Sequence, residues 1–186
     1  MRLFIAIEIP ESIRTAFAAL LKDFRALAPQ LKWVRPENLH VTLKFLGETE
    51  SQKLGPLQNV LSGVRSAEPA NLEFRGLGFF PNEKRPRVFW AGMEASANLK
   101  SLAVDIDQAV HKLGFNLEER PYAPHLTLAR ISLPIIPPKL RKGIEEKSGR
   151  AFGSLTTREF HLIESKLKPT GAEYTTVQSF HFASEA

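Results

Sequence analysis

The chain has 186 residues, 43% of them hydrophobic and 24% charged, with a net charge of +5. That length can bury about 70% of the unfolded surface in a single core, and the modest basic excess admits a polyanionic partner without demanding one. The absence of cysteine excludes disulfides, cysteine-ligated zinc, iron–sulfur clusters and a thiol nucleophile.

Leu3–Ile9 (LFIAIEI) is rich in β-branched and aromatic residues and predicts a buried strand. The opening apolar run stops at Glu8 and Pro10. It is too short for a signal sequence or a membrane span, so a cytoplasmic protein without a membrane segment is expected. Pro10 then opens a helix in which Ile13, Phe17, Leu20, Leu21, Phe24 and Leu27 recur at helical spacing, and Pro29 stops it. Leu31–Val34 is a short strand, and Asn38–Leu46 is another that ends at Gly47. A second helix is expected from Thr49 to about Ser66. Asn71–Phe80 and Arg87–Met93 form a hairpin around PNEKRP, with Lys84, Arg85 and Arg87 at its tip. A third helix covers about Ser96–Leu113 and is capped by Gly114. Tyr122–Ile131 is again a strand, a short helix follows at Lys139–Lys147, and Phe160–Leu167 and Tyr174–Phe182 close the chain as strands.

Strands that neighbour one another in hairpins as well as across helices predict an α+β fold of mainly antiparallel sheet. No linker or low-complexity segment divides it, so residues 1–186 are expected to be a single bilobal domain.

One stretch occurs twice. Residues 35–43 read RPENLHVTL and residues 120–128 read RPYAPHLTL, five identities in nine positions. Each copy places a histidine and a threonine two residues apart in a β-type run, and residues i and i+2 of a strand share a face. His40 with Thr42, and His125 with Thr127, are therefore imidazole–hydroxyl pairs. The repetition predicts two halves related by an approximate two-fold, each lending one pair to a shared groove.

Three chemistries use such residues. A metal site lacks a third ligand at typical spacing, since Glu48, Glu118 and Glu119 all fall outside the usual patterns. A serine nucleophile lacks a G-x-S-x-G elbow. Paired acid–base work fits best: with an unperturbed pKa of about 6.5, one imidazole can accept a proton while the other donates one. The two hydroxyls then match the two non-bridging oxygens of a phosphate diester. In-line attack needs acid and base on opposite sides of phosphorus, which a two-fold supplies.

The two motifs, His40-Val41-Thr42-Leu43 and His125-Leu126-Thr127-Leu128, resemble those of the 2H phosphoesterase superfamily. More narrowly, the chain resembles the RNA 2′,3′-cyclic phosphodiesterases, also called 2′-5′ RNA ligases. The likeness extends through RLFIAIEIP, LHVTLKFLGE, GLGFFPN…PRVFWAG, PYAPHLTLAR and ESKLKPTGAEYTTV. The resemblance implies two lobes with outer helices around a central groove. It also implies metal-independent opening of RNA 2′,3′-cyclic phosphate termini to 2′-phosphates. A monomer with no cofactor is expected. By position, His40 protonates the departing 3′ oxygen, His125 activates water, and Thr42 and Thr127 hold the phosphate oxygens. Phe45 matches an aromatic that stacks on the base, and Arg130 an arginine near the phosphate.

Strict alternation puts Phe45 and Arg130 on the face opposite the histidines, so the strands must end, twist or bulge before them. Reversible 2′-5′ ligation as the main role uses the same residues, and a module that holds RNA ends or nucleotides without turnover is the non-enzymatic alternative. His111, His161 and His181 have no motif and are read as structural. Trp33 and Trp90 are core or cleft wall. Arg35 and Arg120 either steer RNA or brace the approach to each motif.

Overall fold

Strand β1 (Arg2–Glu8) buries every residue from Leu3 to Ile7, because both its faces are covered. In the computed structural model, which describes residues 1–183, Leu3, Ile5 and Ile7 join the main core while Phe4 and Ala6 pack with Ile163 and Tyr174 on the other face. The expected domain, 1–186, runs three residues past the described ones. Helix α1 (Glu11–Leu27) lays Ile13, Phe17, Leu20, Leu21 and Phe24 on the core side, each worth about 1.5–3 kcal/mol when fully buried. Leu27, the last residue of the predicted stripe, is exposed.

Strand β2 (Lys32–Trp33) is followed by a single 3₁₀ turn at Pro36–Asn38, and β3 runs from His40 to Glu48. The expected helix over 49–66 is shorter than its pattern. A 3₁₀ turn at Ser51–Lys53 leads into α2 (Leu54–Leu61), and Gly63 and Val64 then turn back on Val60 and Leu61. Pro56 fits because it lies in the first turn, where no intrahelical donor is needed. Strands β4 (Ala70–Phe80) and β5 (Val88–Ala95) form the predicted hairpin. Helix α3 (Ala97–His111), β6 (His125–Arg130), α4 (Pro138–Lys147), β8 (Glu159–Lys168) and β9 (Gly171–His181) follow near their expected places. Strand β7 (Ala151–Thr157) was not expected. Its sequence offers only Phe152 as a deeply buried anchor, and Gly153 sits at φ +123°, so pairing with β4 rather than local pattern makes it a strand.

All strand pairs are antiparallel, and the order is β7-β4-β5-β6-β3-β1-β8-β9, with β2 beside β6. The architecture is α+β, as predicted. The two units β1–α1–β3 and β5–α3–β6 occupy equivalent places on either side of the β3–β6 junction, with four strands of the continuous order on each side and the two-residue β2 as a ninth. Among the described residues, no helix is long and apolar enough to cross a membrane.

Candidate active site

The two repeated motifs meet at the centre of the sheet. Val41 of β3 pairs with Leu126 of β6, and continuing this antiparallel register sets His40 across from Thr127 and Thr42 across from His125. Val41 and Leu126 are fully buried beneath, with Leu43 and Leu128. The four polar side chains thus form a square on the opposite face, with the histidines on its diagonal.

Both strands carry the burial pattern half-buried, buried, half-buried, buried, buried, exposed from their first residue. The cause is a bulge repeated at the same place. Opposite β1, Ala6 pairs with Thr42 and Ile5 with Lys44, so Leu43 is skipped. Opposite β5, Trp90 pairs with Thr127 and Phe89 with Ala129, so Leu128 is skipped. An extra residue in one strand reverses the alternation beyond it. Phe45 and Arg130 are thereby carried to the histidine face, where simple alternation does not put them. Phe45 pairs with Phe4 and is 59% exposed, available to a flat partner.

Each imidazole is fixed in the same way. Nδ1 of His40 lies 2.7 Å from the Asn38 carbonyl, and Nδ1 of His125 lies 2.9 Å from the Ala123 carbonyl. A carbonyl only accepts, so Nδ1 carries the hydrogen and Nε2 is left for the groove. The surroundings then diverge. His40 packs against Phe4, with ring centres 4.6 Å apart, and against Tyr174 edge-on at 5.3 Å. His125 meets Phe80 edge-on at 5.0 Å, and Phe80 in turn packs on Trp90. Trp90 lies across Gly78, where a Cβ would come within 2.4 Å of the indole, so only glycine leaves room for this floor.

Burial pushes the His40 pKa down to about 4. The Asn38 carbonyl opposes that shift, the charge of His125 adds to it, and Glu8 opposes it. His40 is therefore neutral in the free site near pH 7.

The cover over His40 is the β8–β9 hairpin. Arg35 and Asn38 both donate to the Ala172 carbonyl, at 3.0 and 2.8 Å, and Thr176 donates to Glu8 at 2.7 Å. Tyr174 lies between these ties and is held over His40. Burial raises its phenol pKa. Arg35 thus braces the hairpin onto the first motif. Arg120 is exposed and has no hydrogen bond or ion pair among the described residues, so the repeated arginines are not equivalent.

The approach to the second motif is tied to the first. Lys44, 4% exposed, lies 2.8 Å from both Asp107 and Glu118 and donates to the Asn116 carbonyl at 2.7 Å. Burial lowers its pKa, but Asp107 and Glu118 outweigh that and the net shift is upward. Tyr122 donates to the Thr42 carbonyl at 3.1 Å.

Sequence reasoning did not find Phe4, Glu8, Phe80, Lys44 or Tyr174 as neighbours of the site. Only register with the histidine strands could have picked them out. Of the other histidines, His161 is buried against Ser179, His181 is exposed near Glu159, and His111 bonds the Phe115 carbonyl. None of the three reaches the square. Among the described residues, no group of three or more histidine, aspartate or glutamate side chains could hold a metal ion.

Comparison with known proteins follows the same two-fold. The family model for LigT-like phosphoesterases matches the chain twice, over residues 7–90 and 93–174. A curated RNA 2′,3′-cyclic phosphodiesterase of Archaeoglobus fulgidus is 36% identical, across 97% of this chain and 99% of that protein. One from Thermus thermophilus is 33% identical, across 100% and 92%. Among solved structures, a Thermus thermophilus protein superposes with a TM-score of 0.77 at 33% identity, covering 98% of both chains. E. coli LigT complexed with 3′-AMP superposes with a TM-score of 0.73 at 28% identity, covering 97% of both.

Proposed function

Since the chain belongs to the LigT-like phosphoesterase family, we propose that it hydrolyses the 2′,3′-cyclic phosphate at an RNA end to a 2′-phosphate. The observation that carries this reading is the square of His40, Thr42, His125 and Thr127, with Nδ1 of each histidine tied to the carbonyl two residues earlier.

The phosphorus sits between the two imidazoles. Nε2 of His125 takes a proton from water, the water oxygen attacks phosphorus, and the P–O3′ bond breaks. Nε2 of His40 delivers a proton to the departing O3′, leaving a 2′-phosphomonoester. Each proton transfer is worth about 10²–10⁴ in rate. Thr42 and Thr127 donate to the two non-bridging oxygens as negative charge builds. Phe45 stacks on the terminal base, and Arg130 balances phosphate charge. No step uses a metal ion, and both halves of the site come from one chain, which supports a monomeric, single-domain enzyme.

The acid role sets a condition on His40, which is neutral in the free site. The anionic phosphate must bring a proton with it by favouring the imidazolium. Calorimetry of 2′-phosphate product binding at pH 7, in buffers of different ionisation enthalpy, should detect uptake of a proton. No uptake would exchange the two histidine roles.

The activity itself is tested by incubating the protein with nucleoside 2′,3′-cyclic phosphates in EDTA and identifying the product isomer. The 2′-phosphate is expected; a 3′-phosphate, or no turnover, contradicts the proposal.

A further inference from the structure

The cations of the molecule are not distributed evenly with respect to carboxylates. Around the first motif most are matched: Arg35 with Glu37, Lys44 with Asp107 and Glu118, Lys166 with Glu164, Lys168 with Glu173, and the terminal amine with Glu48, Arg2 of β1 being the exception. At the far end of β6 they are not. Lys32, Lys84, Arg85, Arg87 and Arg130 are all exposed, and none has a carboxylate within 4 Å among the described residues. Glu83, the acidic residue of that hairpin tip, faces Arg141 instead.

Two of these cations are direct neighbours. Lys32 of β2 is the register partner of Arg130. Its neighbour Trp33 packs on Phe24 and Phe89 in the core, so Lys32 points to the groove face, as Arg130 does beyond the bulge. Like charges directly opposite each other on paired strands are destabilising, and here no acid relieves them. The hairpin tip beside them is shaped rather than loose. The Asn82 side chain accepts from the backbone N–H groups of Lys84 and Arg85, both at 3.0 Å, and the Arg87 carbonyl accepts from Ile131 N–H at 2.8 Å.

Because β3 and β6 are antiparallel, Phe45 and Arg130 mark opposite ends of the groove. A 3′-terminal cyclic phosphate has RNA on one side only, so one exit suffices for the chain. We propose that the RNA body leaves the site over the Arg130 end, its backbone phosphates held by Lys32, Lys84 and Arg85, while the terminal base takes the Phe45 end. This rests on the cyclic phosphodiesterase reading above. The contacts are to phosphates, so recognition is independent of base sequence and weakens with salt.

The test compares a nucleoside 2′,3′-cyclic phosphate with a pentanucleotide bearing the same terminus, across a salt series, for the wild type and the K32A/K84A/R85A variant. For wild type, kcat/KM for the pentanucleotide should exceed that for the mononucleotide and fall steeply with salt. In the variant the log–log salt slope should be shallower by about 2, from about 0.7 per lost contact on a single strand. Turnover of the mononucleotide should be unchanged, which also reports that the variant is folded. Equal slopes for the two proteins, or no preference for the pentanucleotide, overturn the proposal. Failure to turn over the mononucleotide at all is a different result and removes the activity reading instead.

Discussion

The two histidine motifs are alike in everything that their own strands decide and unlike in what covers them. Both place histidine and threonine on one face, both bulge at the leucine, and both tie Nδ1 to the carbonyl two residues back. His40, however, lies under the β8–β9 hairpin with Phe4 and Tyr174 against it, while His125 has Phe80 at its edge and no strap. The repeat thus supplies two imidazoles in equivalent places, and unlike surroundings are what make one differ from the other. On the proposed mechanism that difference matters, because burial disfavours the imidazolium at His40 and the bound phosphate must offset this before His40 can donate a proton.

The comparison can be broken most directly at the histidines. His40→Ala and His125→Ala should each lower kcat by about 10²–10⁴ on nucleoside 2′,3′-cyclic phosphates; full activity in either would remove the pairing. Next is Lys44, whose place in the second motif is taken by Ala129. Lys44→Met leaves Asp107 poorly exposed without its cation, at a cost of roughly 3 kcal/mol. The midpoint of thermal unfolding should fall by roughly 6–12 °C for a chain of this size. An unchanged midpoint would mean that the tie between motifs carries no stability.

The burial of His40 has its own signature in pH. The native site holds the imidazole near a pKa of about 4, while the unfolded chain titrates near about 6.5. Between those values the unfolded chain binds more protons, so stability is full above about 6.5 and is lost as pH falls toward 4, by on the order of 3 kcal/mol. The difference between wild type and His40→Gln in thermal or urea unfolding should shift in that window, and a flat difference would show a solvated histidine. Smaller effects should separate the flanking residues. Thr42→Val and Thr127→Val are expected to cost about 10² each in kcat, with the two losses similar because the square is symmetric. Arg35→Ala should lower kcat/KM roughly tenfold by loosening the hairpin over His40, the kinetic equivalent of about 1.4 kcal/mol for lost hydrogen bonds. Arg120→Ala should change nothing, and equal effects from the two would restore the arginines to equivalence.

Much of this was legible in one dimension. The stripe in α1 from Ile13 to Phe24, the hairpin around residues 81–87 and the two His-x-Thr pairs follow from periods of 3.6 and 2 along the chain. The antiparallel α+β class follows from the order of elements, and the repeat already implied a two-fold. These features are local: each depends on residues a few positions apart, whose relative direction the backbone geometry dictates.

Other features arise only when distant segments meet. Strand β7 exists because β4 offers it an edge. Phe45 and Arg130 reach the groove because β1 and β5 impose a register that skips Leu43 and Leu128. The role of Arg35 depends on Ala172, 137 positions away, and the low pKa of His40 depends on Phe4 and Tyr174 closing over it. The sequence by itself determined that two imidazole–hydroxyl pairs share the faces of two strands, since that is a matter of residue type and spacing. The tertiary structure alone decided which histidine is buried and which aromatic and basic residues face it. Register, twist and desolvation are properties of packed strands and have no value in a strand taken alone.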